Sequence, residues 1–459
     1  MPKDRAVPPA MRVQDMTEGD PVRLILAFAV PLFIGNIFQQ VYSVVDTMVA
    51  GYGLGDGAIA AIGATSSLYN LILNIAMGLN SGYAIVVTQR FGAHDEKRLK
   101  QSIAGMCLLN GAAALVLTAL SLAFLGPLLR FLNTPEAIFA QSYRYIAIIC
   151  AGMTATIAYN LFAAVLRAVG NSRAPLYFLV VSCLLNILLD LVLVLVLRWG
   201  VAGAALATVA AQTVSAVLGG VYLLRRYRAI LPGRKDFRVP GTLLAHLLST
   251  GAAMGLMYCV VDMGTVIFQR ANNSLGELFI ASWTSARRLI SIGMQPLGTI
   301  ATAFSTFVGQ NWGAGKRERI RATLKQVLVM ETAWSLLACA VAYAFGAALI
   351  RFTTGTEDPA VVENAVLSLR CHLTFFPALG VLLCLRMAMQ SMGKKLVPVI
   401  SSCVELAMKL LSAAWIIPHF GYPGTCMTEP VTWTLMMLFL VGAYLARRRE
   451  LFPPEKAPA

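Results

Sequence analysis

The feature that most constrains this chain is a set of long segments without a charged side chain. Six of them reach or exceed the roughly 20 residues that an α-helix needs to cross a bilayer; they are residues 24–45, 57–89, 101–129, 145–166, 199–224 and 289–315. Apolar residues make up 58% of the chain and charged residues 13%, and the mean hydropathy is +0.71. Membrane β-strands would be about 10 residues long and would alternate in polarity. The pattern therefore predicts an all-α polytopic membrane protein.

Merging these segments with shorter apolar runs that carry a single internal charge predicts twelve transmembrane helices. They are expected near residues 24–49, 58–88, 102–128, 138–165, 175–197, 201–224, 243–268, 278–308, 326–350, 364–388, 397–418 and 427–446. With both termini in the cytoplasm, 28 of the 37 Lys and Arg residues fall on the inner side, as the positive-inside rule requires. The polar start lacks the apolar region of a signal peptide, so the first helix is expected to direct insertion into the cell membrane.

The chain repeats itself on either side of a basic loop at residues 225–241. The segment QRFGAHDEKRLK (89–100) matches QNWGAGKRERIR (310–321) at an offset of 221 residues, and AVGNSRAP (168–175) matches SMGKKLVP (391–398). Because each half holds an even number of spans, both halves enter the membrane in the same direction. The prediction is two parallel six-helix repeats related by a pseudo-twofold axis along the membrane normal, an architecture typical of secondary transporters.

The predicted domain organisation follows from this repeat. It comprises a cytoplasmic N-terminal lead (1–22), an N-lobe of helices 1–6 (23–225), a cytoplasmic inter-lobe loop (226–241), a C-lobe of helices 7–12 (242–447) and a cytoplasmic tail (448–459).

Two carboxylates lie within the predicted spans of the first lobe. Asp46 is in the first span, and Asp190 is in the fifth, one turn after Asn186. An ionised Asp costs roughly 2.5–3.5 kcal/mol at the centre of a membrane helix even on the lenient insertion scale, so it should face a cavity, a partner or a cation. When the spans are threaded from inside to outside, both carboxylates fall in the outer half of the lobe, together with Thr208 and Tyr145. One shared polar site is therefore possible.

The second lobe does not copy this carboxylate pair. The positions equivalent to Asp46 and Asp190 are about Ile267 and either Leu411 or Ala413. Its membrane-embedded charges are of both signs, which favours pairing among themselves; they are Asp262, Arg287, Arg288, Glu331, Glu405 and Lys409. We therefore expect the first lobe to handle the coupling cation.

Composition also argues against other classes of protein. The net charge of +15 is accounted for by membrane topology, and no soluble domain presents a basic face to nucleic acid. Four scattered histidines, without an HExxH, CxxC or phosphate-binding motif, give no sign of an enzyme or a cofactor site. The nine cysteines fall mostly within spans and read as small packing residues. The expected partners are small organic molecules and membrane lipids.

At the level of motifs the chain resembles the multidrug and toxic compound extrusion (MATE) transporters, prokaryotic type. The resemblance is carried by GNIFQQVYSVVDTMVAG (35–51), by the QRFGA and GQNWGAG inner loops and by LRAVGNS (166–172), and it covers residues 20–449. In that family a cation site in the N-terminal lobe combines an Asp of the first helix, an Asn and an Asp of the fifth, a Thr of the sixth and a Tyr of the fourth. The resemblance implies that the matching residues here are Asp46, Asn186, Asp190, Thr208 and Tyr145.

The predicted function is multidrug efflux by ion-coupled antiport with alternating access. Carboxylate, amide and hydroxyl oxygens suit Na⁺, possible at Asp46, Asn186, Asp190 and Thr208, or a proton shared between the carboxylates; the residues leave Na⁺ and H⁺ open as the coupling ion. The family's first-helix proline matches Pro31, which leaves the carbonyl of Ala27 without its helical partner and is either a hinge or a static kink.

The substrate cavity is expected to be lined by aromatic, methionine and polar side chains, which suit diverse flat or cationic ligands. The candidates are Gln39, Tyr42, Asn70, Asn74, Met77, Tyr159, Met257, Trp283, Arg287, Met294 and Gln295. The transporter is expected to act as a monomer. The alternative is a lipid-linked saccharide flippase of the same superfamily, for which the cations Arg287 and Arg288 could hold a pyrophosphate.

Overall fold

The computed structural model describes residues 15–132 and 134–452, and their regular structure is entirely helical. The first half contains α1 (Pro21–Leu54), α2 (Asp56–Gly92), α3 (Glu96–Phe131), α4 (Glu136–Ala151), α5 (Met153–Ala168), α6 (Arg173–Asp190) and α7 (Val201–Arg226). The second half contains α8 (Gly241–Asn273), α9 (Glu277–Gly313), α10 (Arg317–Thr354), α11 (Pro359–Thr374), α12 (Phe376–Ser391), α13 (Leu396–Leu411) and α14 (Ile417–Leu451). The ends of the predicted lead and tail lie outside the described residues.

These helices account for the twelve predicted spans. By length and composition eight described segments could cross a membrane, or up to ten if each of two bent pairs is one span. The bent pairs are α4 with α5, at 44°, and α11 with α12, at 48°. The other two predicted spans correspond to α9 and to the part of α14 that follows Gly421, whose φ of 58° breaks the helix. The sequence did not predict the bends, which fall at matching places in the two repeats.

Each repeat also carries a π-helical turn at a matching place. The first, π1 (Leu191–Val196), continues α6, and the second, π2 (Ser412–Ile416), continues α13. A π-turn inserts an extra residue into a helix and frequently marks a functional site. Neither π-turn was predicted, because both occur in continuous apolar runs.

The chain forms two compact units whose boundaries fall inside helices. Of the described residues, the first unit contains Asp15 and Val30–Gly255, and the second contains Met16–Ala29 together with residues 256–452. The predicted lobes were divided at the loop of residues 226–241. The division differs because the first part of α8 packs with the first repeat, and residues 16–29 pack with the second.

Two pairs of glycines hold the first part of α8 within the first unit. Gly78 and Gly82 of α2 face Gly255 and Gly251 of α8 so closely that a Cβ added at Gly78 would lie 2.6 Å from the Cα of Gly255. A Cβ at Gly82 would lie 2.5 Å from the Cα of Gly251. Small residues four apart allow membrane helices to approach backbone to backbone, so no side chain can replace these hydrogens without moving the helices.

In the second unit, hydrogen bonds hold the segment that precedes α1. The buried amide of Met16 donates to Oε1 of Gln310 at 2.8 Å, and Nδ2 of Asn311 donates back to the Met16 carbonyl at 3.0 Å. Nζ of Lys316 donates to the carbonyl of Thr17 at 2.9 Å. The GQNWGAG motif seen in the sequence therefore anchors residues 16–17 to the end of α9 and the turn that follows.

Candidate functional site

The candidate site lies in the first unit, where α1 and α6 bring two carboxyl groups together. The side chains of Asp46 and Asp190 lie within hydrogen-bonding reach of each other. Asp190 is 1% exposed, and neither of its oxygens accepts a hydrogen bond from another group in the described part of the chain. Two bare carboxylates so close together in a low-dielectric region would repel strongly. The pair therefore needs a shared proton or a bound cation.

Asn186 lies one helical turn before Asp190 and is the second unusual feature of the site. It is 2% exposed, and among the described residues neither its amide oxygen nor its amide nitrogen has a hydrogen-bond partner. A buried amide without partners is costly, and such groups in native proteins call for an unseen ligand such as water or an ion. Helix α6 passes into π1 directly after Asp190, which sets the direction of the last turn of the helix.

Hydroxyl groups surround the carboxyl pair. Tyr145 of α4 lies close enough to Asp46 and Asp190 to interact with both electrostatically. Thr208 of α7 and Tyr42 of α1 lie within hydrogen-bonding reach of each other, and Oγ1 of Thr208 donates to the carbonyl of Ala204 at 3.1 Å. The five residues that the family resemblance implied as a cation site are thus placed around one point, on α1, α4, α6 and α7.

Two tyrosines near this point were not expected there from the sequence. Tyr42, predicted as part of the substrate cavity, adjoins both carboxyl groups. Tyr69 of α2 lies near Asp46, and it stands one position before Asn70, which was predicted for the cavity. Asn70 was predicted from the polar face of α2 and Tyr69 was not, because a tyrosine in an apolar run usually packs against neighbouring helices.

The donor set of the site suits a hard monovalent ion or a proton. Its carboxylate, amide and hydroxyl oxygens are the ligands that alkali-metal ions take, and they include no soft sulfur or imidazole ligand. Within residues 15–132 and 134–452, no three His, Cys, Asp and Glu side chains are grouped so that they could hold a metal ion. The candidate ligands are therefore the two carboxyl groups of Asp46 and Asp190 together with neutral amide and hydroxyl oxygens.

The other predicted cavity residues of the first unit are accessible to differing degrees. Gln39, Asn70 and Met77 are exposed, and Asn74 is half-buried. Tyr159 is half-buried and donates to the carbonyl of Pro175 at 3.5 Å, so it also ties α5 to α6. Their part in substrate binding stays a prediction.

In the second unit the structure places two predicted cavity residues in the core. Met257 and Trp283 are each 4% exposed. Trp283 packs with Phe268 and Tyr422 and lies 5.4 Å from the ring of His372. Most of their apolar surface is therefore covered by the protein itself, and their part in the substrate cavity stays a prediction. Met294 and Gln295 are half-buried.

Arg287 forms an ion pair with Glu429, a residue that sequence reasoning missed. The Arg287 and Glu429 side chains approach to 2.5 Å, and their exposed fractions are 37% and 8%. His372 is fully buried, with Nδ1 2.7 Å from the carbonyl of Ser368 and Nε2 3.4 Å from Glu429. Glu429 was overlooked because it stands third in the twelfth predicted span (427–446), and a carboxylate so near the end of a span is usually in water.

Comparison with known proteins matches almost the whole chain. A protein-family model described as MatE matches residues 31–192 and again residues 253–415. A probable multidrug resistance protein, YpnP of Bacillus subtilis, is 27% identical over 378 residues, which are 81% of this chain and 82% of that protein. A protein of Shewanella oneidensis named FAD transporter is 24% identical over 441 residues, 93% of this chain and 94% of that protein.

Solved structures share the fold. A crystal structure of MATE in the bent conformation has a TM-score of 0.87 and 21% sequence identity, and it covers 96% of this chain and 98% of that one. A MOP superfamily transporter from Pyrococcus furiosus has a TM-score of 0.85 and 21% identity, over 97% of this chain and 99% of that one.

Proposed function

This chain belongs to the MatE family of membrane transporters, and we propose that it is an antiporter that exports organic, often cationic, compounds in exchange for Na⁺ or H⁺. The single observation that carries the proposal is the Asp46–Asp190 carboxyl pair close to Asn186, whose amide has no hydrogen-bond partner in the described part of the chain. Such a site gains the most when it takes up one positive charge. The names of relatives such as YpnP support the multidrug class of substrate.

In the proposed cycle, a cation enters from outside and binds between Asp46 and Asp190, with Asn186, Thr208 and Tyr145 supplying neutral oxygen ligands. Ion binding favours a conformation with low affinity for the substrate, which is released outward, and alternating access then resets the site from the cytoplasmic side. Both termini lie in the cytoplasm. The binding site and the conformational change are coupled because the ion binds one state more tightly than the other.

Pro31 is the proposed hinge of this cycle. It lies in α1 two residues beyond Ala29, the last residue that clusters with the second unit. The start of α1 is tied to the second unit through residues 16–17, whereas Asp46 belongs to the first. Because Pro31 cannot donate to Ala27, the helix is weakest close to this division. A change at Asp46 can therefore bend α1 there.

The driving force is sufficient for efflux. A tenfold Na⁺ gradient supplies about 1.4 kcal/mol, and a potential of 100 mV adds about 2.3 kcal/mol for each net charge moved. One ion per cycle thus supports roughly a 500-fold gradient of a neutral substrate. One-for-one exchange with a monovalent organic cation would lose the voltage contribution.

The proposal is tested by counterflow in proteoliposomes under imposed Na⁺ or pH gradients. We expect Asp46→Asn to abolish gradient-driven export of organic cations. The matched control is Glu277→Gln, which neutralises an exposed acid at the start of α9 and should export as wild type does. Undiminished export by the Asp46 variant would show that the ion binds elsewhere.

A second candidate substrate class comes from Arg287. Its guanidinium is partly exposed and lies 5.9 Å from the Trp283 ring, and a relative of similar length is named FAD transporter. A partly exposed planar guanidinium suits a phosphate or a carboxylate. If the substrate is of this kind, Arg287→Lys should reduce transport of FAD and leave transport of a cationic dye unchanged. A lipid-linked sugar assay covers the flippase alternative.

A further inference from the structure

The helices that lead into the two π-turns correspond when they are counted from their first residues. Helix α6 begins at Arg173 and has 18 residues before π1, and α13 begins at Leu396 and has 16 residues before π2, so the two-residue difference falls at the π-turns. Counting from these starts pairs Asn186 with Lys409 and Asp190 with Ala413.

The segments after the π-turns also correspond. They pass through glycines with nearly the same backbone conformation, φ 65° and ψ −149° at Gly200 and φ 58° and ψ −139° at Gly421. Counting from these glycines pairs Thr208 with Glu429. Two positions of the proposed ion site in the first unit thus correspond to a lysine and a glutamate in the second.

The ammonium of Lys409 lies in a cage of oxygen atoms. Lys409 is 4% exposed, and its Nζ donates to Oε1 of Glu405 and to Oγ1 of Thr265, each at 2.9 Å. It is also close enough to Glu429 to interact with it electrostatically. The carboxylate and hydroxyl oxygens around Nζ are the kinds of ligand that the first unit presents at Asp46, Asp190 and Thr208.

We propose that Lys409 is a tethered cation that fills the second unit's counterpart of the ion site, so that this unit takes up no coupling ion. The first unit then exchanges one ion in each cycle, and the second stays permanently in the charge-neutralised state. That the second unit takes no part in coupling rests on the proposed antiport function. That the Lys409 ammonium replaces an ion is independent of that function.

The neighbouring charges are consistent with this assignment. Around Lys409 stand Glu405 on its own helix and Glu429 on α14, with Thr265 on α8 as a neutral ligand. Glu429 is shared with Arg287 on α9 and His372 on α11. Arg386 on α12 interacts electrostatically with Glu405. The Arg287 guanidinium is hydrogen-bonded to Glu429, and the Arg386 guanidinium is hydrogen-bonded to Ser402. Neither guanidinium therefore occupies the position of the Lys409 ammonium.

The test is to count ions bound by the purified full-length protein when Lys409 is replaced by the residue found at the matching position. Lys409→Asn should bind one more monovalent cation per chain than wild type, detected either as ²²Na⁺ binding or as one additional proton taken up in a weakly buffered solution. Lys409→Arg keeps the charge and should bind as wild type does. If Lys409→Asn gains neither a sodium ion nor a proton, Lys409 is only a structural ion-pair partner and the proposal is wrong.

A reciprocal variant keeps the proposal testable if Lys409→Asn fails to fold. Asn186→Lys places an ammonium beside Asp190 and should remove the ion binding of the first unit, with loss of stabilisation by Na⁺ or low pH in a thermal unfolding assay. Retention of wild-type ion binding would contradict the positional equivalence. Failure of the antiport proposal gives a different result: wild type and Asp46→Asn then bind equal numbers of ions, while the gain in Lys409→Asn is still measurable.

Discussion

The two units share a backbone around their π-turns but differ in what neutralises the buried carboxylates. In the first unit Asp46 and Asp190 face each other beside an amide with no partner among the described residues. In the second, Glu405 and Glu429 are met by Lys409, Arg287 and His372. The first arrangement needs a charge from solution and the second supplies its own. A duplicated fold can therefore contain one site that exchanges an ion with solution and one site that is neutralised by the protein's own side chains. The residues at a few equivalent positions decide which.

The largest effect should come from the acid of the first unit that lies next to π1. Asp190→Asn removes a charge from the pair, and we expect the roughly 500-fold gradient supported by one ion to be lost. Stability should be unchanged or higher, because an amide costs less to bury than a carboxylate. Gradient-driven export and thermal unfolding measured on the same preparation check both statements. Asp236→Asn, in the loop before α8, is the matched control and should change neither.

The corresponding change in the second unit should lower stability and leave ion binding unchanged. Glu429→Gln leaves Arg287 beside a neutral group; because Arg287 is 37% exposed, we expect a loss of about 1–3 kcal/mol, less than the cost of breaking a fully buried pair. Chemical unfolding in detergent should show this loss of stability, while the number of ions bound stays as in wild type. Replacing both partners, Arg287→Met with Glu429→Met, should recover most of the stability. A loss of ion binding in Glu429→Gln would show that the second unit does take up an ion.

The glycine crossing of α2 with α8, within the first unit, gives a smaller effect. Gly82→Ala forces α2 and α8 apart, because the new Cβ would lie 2.5 Å from the Cα of Gly251, and overpacking of this kind typically costs about 1–3 kcal/mol. Gly63→Ala, on the same helix but with no atom within 4 Å of the new methyl group, should stabilise α2 by about 0.5–1 kcal/mol. Equal effects of the two substitutions on the unfolding midpoint would contradict the close crossing.

The smallest effect is expected where the second unit holds the segment before α1. Asn311→Ala removes the hydrogen bond to the carbonyl of Met16, which contributes about 1 kcal/mol. Amide hydrogen exchange should become faster at Met16 and Thr17 and stay unchanged in the middle of α9. Asn364→Ala, whose amide bonds only within its own helix, serves as the control. Unchanged exchange at Met16 would mean that the remaining contacts suffice to hold the segment.

The sequence alone determined the fold class, and the family motifs in it named the residues of the candidate ion site. Long uncharged segments allow only membrane helices, and the 221-residue repeat with an even number of spans requires two parallel halves. The five residues implied by the family motifs, Asp46, Tyr145, Asn186, Asp190 and Thr208, come together in the structure. A carboxylate in an apolar run is costly enough to be informative without coordinates, which is why this part of the site was predictable.

Only the tertiary structure decided where the units divide, how the helices bend and which buried charges meet. The sequence did not show that Met257 and Trp283 are buried, because an apolar residue looks alike in a core and in a cavity. It also did not show that Glu429 pairs with Arg287. The partner of Arg287 lies 142 residues away, and the pairing of Lys409 with Asn186 follows from where α6 and α13 begin. Such pairings depend on helix register and close packing, which hydropathy and spacing do not encode.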